Sequence, residues 1–231
     1  MLPLSEMELS ALRLSVIVAT RSVLLSLLPA LAVAFVLTRR RFPGRMLLDA
    51  FVHLPLVLPP VVVGYLLLVL FGTRGPLGSL LERAFGIHLM FSTNGAALAT
   101  AVMSFPLVVR SMRIALEGVD TGLEQAARTL GAGRLDRFAT ITLPLMLPGV
   151  IAGAVTAFAA GLGEFGAVIT FVSNIPDQTR TLPLALYSAL QMPGGDAAAA
   201  RLAALSFVLG LGGLLLAEGL ARGLRRRLGR A

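Results

Sequence analysis

Cysteine and lysine are both absent from this sequence. Without cysteine, the chain forms no disulfide and offers no thiolate for catalysis or metal binding. Without lysine, it contains no GxxxxGKS/T loop and cannot bind nucleotide phosphates in that way. The two histidines, His53 and His88, lack HExxH spacing, and no serine or threonine lies in a nucleophile motif. The sequence therefore predicts no enzymatic activity, no catalytic residue, no metal site and no cofactor.

Charged residues are also scarce, at 14% of the chain, whereas hydrophobic residues make up 56% and the mean hydropathy is +0.86. The apolar residues form runs that can each cross a bilayer, which takes about 20 residues. We therefore predict an all-α integral membrane protein with a single transmembrane domain over residues 1–231. Five spans are expected, at about residues 14–37, 54–71, 90–109, 150–172 and 202–221.

Arginine accounts for every basic residue, and its distribution orients the predicted spans. Arginines concentrate at 39–45, 110–137 and 222–230, while the segments 71–90 and 173–201 hold few. Because positively charged loops stay in the cytoplasm, the N-terminus is predicted to lie outside and the C-terminus inside. The net charge of +8 is thus explained by membrane topology, and no nucleic acid partner is expected. The basic tail is interpreted as an anchor beside membrane lipid, with a lipid or nucleic-acid site as the alternative.

A polar stretch, LEQAARTLGAGRLDRFATITLP, interrupts the apolar runs within a predicted cytoplasmic loop at about 110–148. Thr121 is a plausible N-cap, with Glu124 three residues later in capping-box spacing. Gly131 and Gly133 are predicted to end the short helix that follows. The apolar residues of this helix recur at helical spacing, at Leu123, Ala126, Ala127 and Leu130.

A second amphipathic piece is expected after the glycines, before the chain turns back into the membrane at Leu143-Pro144 and Pro148. Its residues available to face protein are Leu135, Phe138, Ala139 and Thr142. Periodicity alone leaves two interpretations open. Either the loop binds a soluble partner, or it is an amphipathic helix lying on the membrane surface.

The spacing within this loop resembles the coupling loop of ABC-importer permeases. That pattern is Glu-Ala-Ala, three residues, Gly, nine residues, Ile, one residue and Leu-Pro. The corresponding residues here are Gln125, Ala126, Ala127, Gly131, Ile141, Leu143 and Pro144. Gln125 departs from the pattern, and the acid is instead Glu124, one residue earlier. The resemblance implies that the loop, with Glu124 and Leu130, contacts a cytoplasmic ATPase subunit.

Further stretches resemble the membrane subunits of molybdate importers, within an oxyanion group that also includes sulfate and tungstate permeases. They are FPG at 42–44, HLPLVLPPVVVG at 53–64, MSFP at 103–106, LGEFGA at 162–167 and SNIP at 173–176. The resemblance implies a homodimer in the bacterial inner membrane, working with two cytoplasmic ATP-binding subunits and a periplasmic oxyanion-binding protein. Molybdate is the expected cargo, with sulfate or tungstate as alternatives.

Prolines and one intramembrane acid indicate candidate positions for a solute path. Five spans make poor walls for a path, so a two-fold dimer is expected. Candidate gating or pathway residues are Pro59, Pro60, Pro106, Glu164 and Gly166. Prolines break or kink helices, and such kinks are either static or mobile. Intramembrane carboxylates are costly and so tend to be functional or paired. Because like charges repel, a structural or gating contact is expected for Glu164, with a substrate-path contact as the alternative. Rival interpretations are a membrane anchor that transports nothing and an intramembrane enzyme.

Overall fold

The computed structural model describes residues 4–227, and none of these residues forms a strand. The helices are α1 (Glu6–Arg39), α2 (Arg45–Val57), α3 (Pro60–Phe71), α4 (Pro76–Phe85), α5 (Thr93–Glu117), α6 (Thr121–Thr129), α7 (Arg134–Arg137), α8 (Leu143–Leu162), α9 (Gly166–Val172), α10 (Leu182–Leu190) and α11 (Asp196–Arg227). A π-helical turn, Phe138–Thr142, joins α7 to α8. The arginine side chains of the predicted basic tail at 222–230 lie outside the described part.

Within residues 4–227, four helical segments are long and apolar enough to cross a membrane alone: α1, α5, the continuous α7–α8 segment and α11. A fifth span results if the bent pair α2–α3 is counted as one. An all-α membrane protein with about five spans is therefore confirmed.

The first span begins earlier than predicted. Ser5 and Glu8 form a capping box, in which the Ser5 amide donates to the Glu8 carboxylate at 2.8 Å and the Glu8 amide donates to the Ser5 hydroxyl at 3.3 Å. The helix then continues for 34 residues and includes Pro29. At 1.5 Å per residue it is about 51 Å long, well beyond a hydrocarbon core of about 30 Å.

The second predicted span, 54–71, is not one helix. α2 ends at Val57, α3 begins at Pro60, and the two axes differ by 116°. Adjacent prolines cause this break, because a proline disfavours helical backbone in the residue before it. Pro59 acts on Leu58, and Pro60 acts on Pro59, so two consecutive residues adopt extended backbone conformations.

The fourth predicted span, 150–172, is also wrong at its end. α8 stops at Leu162, and the separate helix α9 begins at Gly166. Glu164 therefore lies in a break between two helices and not within a continuous span. The start of α8 differs from prediction as well. Leu143 and Pro144 continue the helix from α7 and do not turn the chain. Pro144 directly follows the π-helical turn, in which the Leu143 amide donates to the carbonyl of Phe138.

α1, α5 and α8 pack together and form the centre of the bundle. Small residues permit close approach between α5 and α8. The Ser111 hydroxyl donates to the carbonyl of Gly149 at 2.9 Å. A Cβ atom on Gly149 would overlap the Cβ atom of Ala115. This packing holds the polar loop between α5 and α8 at one end of the bundle.

Candidate coupling site and translocation pathway

The polar loop contains the short helix α6, which starts differently from the prediction. Asp120 is its N-cap, and its carboxylate accepts the amide of Gly122 at 2.7 Å. The predicted capping box of Thr121 and Glu124 is therefore wrong. With Asp120 as the N-cap, Glu124 is the fourth residue of the helix and lies outside capping-box spacing, so its carboxylate is available for other partners.

Glu124 joins the loop to two membrane helices. Its carboxylate accepts from the guanidinium of Arg39, at the end of α1, over 3.0 Å. The same oxygen accepts the hydroxyl of Thr142, in the π-helical turn before α8, over 2.7 Å. Arg137 also donates to the Glu124 backbone carbonyl at 3.4 Å. A displacement of α6 therefore either moves α1 and the start of α8 with it or breaks the contacts of Glu124 with Arg39 and Thr142.

The far side of α6 is unoccupied within the described chain. Gln125 and Ala126 are exposed, Ala127 is half-buried, and Leu130 is 88% exposed. A large apolar side chain as exposed as Leu130 is typical of a surface that another protein covers. Leu135, on the neighbouring α7, is 85% exposed and lines a cavity beside Glu124 and Arg39. Ile141, Leu143 and Pro144, by contrast, are half-buried against the chain itself.

Gly131 ends the α6 region as predicted. Its φ angle is +90°, in the left-handed region that favours glycine. The next amide, Ala132, donates back to the carbonyl of Ala127 at 3.0 Å, which closes the helix end. Gly133 has an ordinary φ angle of −67° and begins α7. Only the first of the two glycines thus requires its special backbone freedom.

Four of the five candidate pathway residues lie at two helix breaks, and these breaks are adjacent. A Cβ atom on Gly166, at the start of α9, would lie 2.8 Å from the Cβ atom of Pro60, at the start of α3. The Glu164 carboxylate accepts the amide of Ala167 at 2.9 Å and so caps the start of α9. Pro59 immediately precedes α3. Pro106, in contrast, is buried within α5 and does not interrupt it.

These breaks lie towards the end of the bundle opposite the polar loop. Gly161, just before the α8–α9 break, faces Thr100 on α5. Thr100 is about 10 Å from the start of α5 and about 25 Å from its end, by helical rise. The loop and the breaks are thus joined by the length of α8.

The polar partners of the site were not found in the sequence. The sequence pattern places Arg39 in a cytoplasmic basic segment and Thr142 in an amphipathic piece, and it does not predict that either residue contacts Glu124. A second pair, the Arg113 guanidinium and the Asp49 carboxylate at 2.7 Å, likewise links α5 to α2. In each pair, the only feature of the sequence that could have indicated the contact is that the acid and the arginine lie at the same predicted face of the membrane.

The described chain thus combines bent and broken spans around small residues with an exposed helix in a polar loop. The family model described as "Binding-protein-dependent transport system inner membrane component" matches residues 22–226, and the chain belongs to that family. It is therefore a multi-pass permease of the inner membrane.

Individual relatives are more specific. The chain is 59% identical to "Molybdenum transport system permease protein ModB" of Escherichia coli (strain K12), over 98% of this chain and 99% of that protein. It is 42% identical to "Sulfate transport system permease protein CysT" of Salmonella typhimurium, over 78% of this chain and 65% of that protein. The predicted resemblance to ABC-importer permeases of the oxyanion group is confirmed.

The fold is also found in solved structures of ABC transporters. A bacterial ABC transporter involved in the import of the acidic polysaccharide alginate superposes with a TM-score of 0.71 at 16% identity. The superposition covers 97% of this chain and 80% of that one. Identity this low supports the fold alone.

Proposed function

We propose that this chain is the membrane subunit of an ATP-driven importer that carries molybdate from the periplasm to the cytoplasm. The observation that carries the proposal is 59% identity along the whole chain to a molybdenum transport permease. The sulfate permease is less similar and matches a smaller share of the chain. ATP hydrolysis belongs to a separate subunit, since the sequence has no lysine and hence no GxxxxGKS/T loop.

The working assembly contains two copies of this chain, two cytoplasmic ATP-binding subunits and a periplasmic oxyanion-binding protein. Large apolar side chains of α2 and α3 are exposed on the single chain, including Met46 at 86% and Val57 at 80%, and they offer a surface that a second copy can cover. Lipid or a second copy must cover them. When two copies enclose the path, the five spans of one chain do not have to surround the solute by themselves.

Coupling follows from the bonds of Glu124. ATP-driven closure of the partner subunits moves α6, and Glu124 passes that movement to α1 through Arg39 and to α8 through Thr142. At the other end of α8, the two adjacent helix breaks let α3 and α9 reorient with little loss of hydrogen bonds. Glu164 caps α9 in this mechanism, and it is not a ligand of the anion, because like charges repel.

Uptake of molybdate in a strain that lacks its own molybdate importer tests the function. Expression of this chain with its ATP-binding and binding-protein partners should restore uptake of labelled molybdate at nanomolar to micromolar concentrations. The decrease in molybdate uptake caused by excess tungstate or excess sulfate measures the preference among these anions. A matched control carries an inactive ATP-binding subunit and should show no uptake. Sulfate uptake without molybdate uptake would contradict the assigned cargo, and no uptake of any oxyanion would favour an anchor.

Topology provides a second test. A reporter that is active only in the cytoplasm should work when fused after Arg134, in α7, because that loop carries many of the arginines. The same reporter fused near Asp177, between α9 and α10, should be silent. Western blots of both fusions control for expression. A silent fusion at Arg134 beside an active one at Asp177 would invert the orientation and remove the proposed contact with the ATPase.

A further inference from the structure

A cavity of about 740 Å³ opens beside the Glu124 network, between the end of α1 and the α7 region. One side is apolar and is formed by Leu28, Ala32 and Phe35 of α1 together with Phe138. The Phe35 and Phe138 rings meet edge to face, with centroids 6.1 Å apart. The other side is basic.

Four arginines line the basic side: Arg39, Arg40, Arg134 and Arg137. Glu124 is the only acidic residue in the lining, and it is already paired with Arg39. Arg137 donates to backbone carbonyls of its own loop. Arg40 and Arg134 are exposed, and neither forms a salt bridge with any described residue. The cavity therefore presents uncompensated positive charge at its mouth, which favours an anionic occupant.

The distance between the apolar side and the basic side of the cavity matches the thickness of the hydrocarbon layer of one bilayer leaflet. Leu28 and Arg39 are 11 residues apart on α1, which is about 16 Å by helical rise. Half of a hydrocarbon core is about 15 Å. Leu28 is 77% exposed, and Leu24 and Leu25, one turn further along the same face, are 64% and 52% exposed. The apolar wall thus continues onto a surface that lies within the membrane, so an acyl chain can reach the cavity sideways.

We propose that this cavity binds an anionic phospholipid of the cytoplasmic leaflet. The phosphate group lies between Arg40 and Arg134, and an acyl chain follows α1 from Phe35 towards Leu28. A phosphate held in this way connects α1 to α7 beside the Glu124–Arg39 pair, and so reinforces the coupling loop. The assignment to the cytoplasmic leaflet rests on the topology of the proposed function.

Native mass spectrometry of the intact complex of this chain with its ATP-binding subunit tests the site. Phosphatidylglycerol and phosphatidylcholine with identical acyl chains are the two probes. We expect the complex to retain phosphatidylglycerol preferentially. Arg40→Gln with Arg134→Gln should weaken that retention on the order of 10- to 30-fold, because an arginine near an anionic surface contributes about 1 kcal/mol. The corresponding Lys substitutions should keep most of it.

Two further variants separate this site from general charge effects. Arg74→Gln with Arg83→Gln removes two exposed arginines elsewhere on the chain and should leave retention unchanged. Ala32→Trp fills the apolar side without changing charge and should reduce retention of both lipids. Equal retention of the two lipids by the wild type, or unchanged retention in the first double variant and in Ala32→Trp, would overturn the proposal. Retention of phosphatidylglycerol by the chain alone but not by the complex would also overturn it, since the ATP-binding subunit would then cover the cavity.

Molybdate uptake by vesicles that contain the same complexes, measured with the oxyanion-binding protein added, tests the proposed function separately from the lipid site. Uptake together with no lipid preference contradicts only the lipid site. Preferential lipid retention without uptake of any oxyanion contradicts only the proposed function.

Discussion

Gly131→Val should reduce molybdate uptake by about tenfold or more while leaving the amount of protein in the membrane unchanged. Gly131 has a φ angle of +90°, and no heavy atom lies within 4 Å of a Cβ atom placed there. The cost of the substitution is therefore backbone strain and not a steric clash. A β-branched residue in this conformation costs about 1–2 kcal/mol. Straightening the turn relieves the strain and moves α6 away from its partner. Uptake and co-purification of the ATP-binding subunit measure the effect.

Gly133→Val is a closely matched control. Gly133 lies two residues further along the same loop, its φ angle is −67°, and its Cβ position is also open. Valine adopts that φ angle without strain, so uptake should stay near the wild-type value. Membrane abundance should be normal in both variants, because insertion depends on hydrophobicity and arginine distribution. If Gly131→Val keeps wild-type uptake and ATPase binding, the loop is not the coupling element and instead lies on the membrane surface.

Gly64→Ala should impair both stability and uptake, because α3 and α9 are in backbone contact at this residue. An added Cβ atom would lie 2.7 Å from the carbonyl oxygen of Ala167 and 2.8 Å from the Cβ atom of Thr170. A backbone oxygen cannot rotate away, so the two short helices must separate. Overpacking of this kind costs about 1–3 kcal/mol. The same two helices meet at the Pro60–Gly166 contact, so their separation also disturbs the proposed pathway.

Gly212→Ala supplies the comparison for that variant. Gly212 lies in α11, and no heavy atom is within 4 Å of its added Cβ atom. Alanine there should leave the Tm of the purified complex and the uptake rate unchanged, or raise the Tm slightly, because alanine favours helix. For Gly64→Ala we expect a Tm several degrees lower and uptake reduced severalfold. Equal Tm and uptake in the two variants would show that the α3–α9 contact is not needed.

Local spacing predicted much of the candidate site. The turn at Gly131 follows from a glycine after a short amphipathic segment, which is information held within a few residues. Glu124 was assigned the wrong partner for the same reason, since capping-box spacing is a local pattern. Its actual partners, Arg39 and Thr142, are 85 and 18 residues away in the chain. Only the packing of α1 against the loop brings these groups together.

The prolines also show that a local sequence pattern predicts only part of the fold. Pro29 and Pro106 lie inside helices that remain continuous, whereas Pro59 and Pro60 separate α2 from α3. A single proline removes one hydrogen bond, and the surrounding helices hold the chain in place. Two consecutive prolines restrict two successive residues as well. The break before α9 contains no proline, and hydropathy continues across it, so the sequence pattern predicted one uninterrupted span.

By itself, the sequence determined that this protein is helical, crosses the membrane about five times and exposes an arginine-bearing loop at one side. These properties depend on how many apolar residues follow one another and where arginines interrupt them. The reason is that the free energy of transfer into lipid is a sum of contributions from successive residues. The tertiary structure alone decided that Glu124 ties the loop to α1 and α8, and that the Pro60 and Gly166 breaks meet. Those contacts depend on close packing between segments far apart in sequence, which no local pattern encodes.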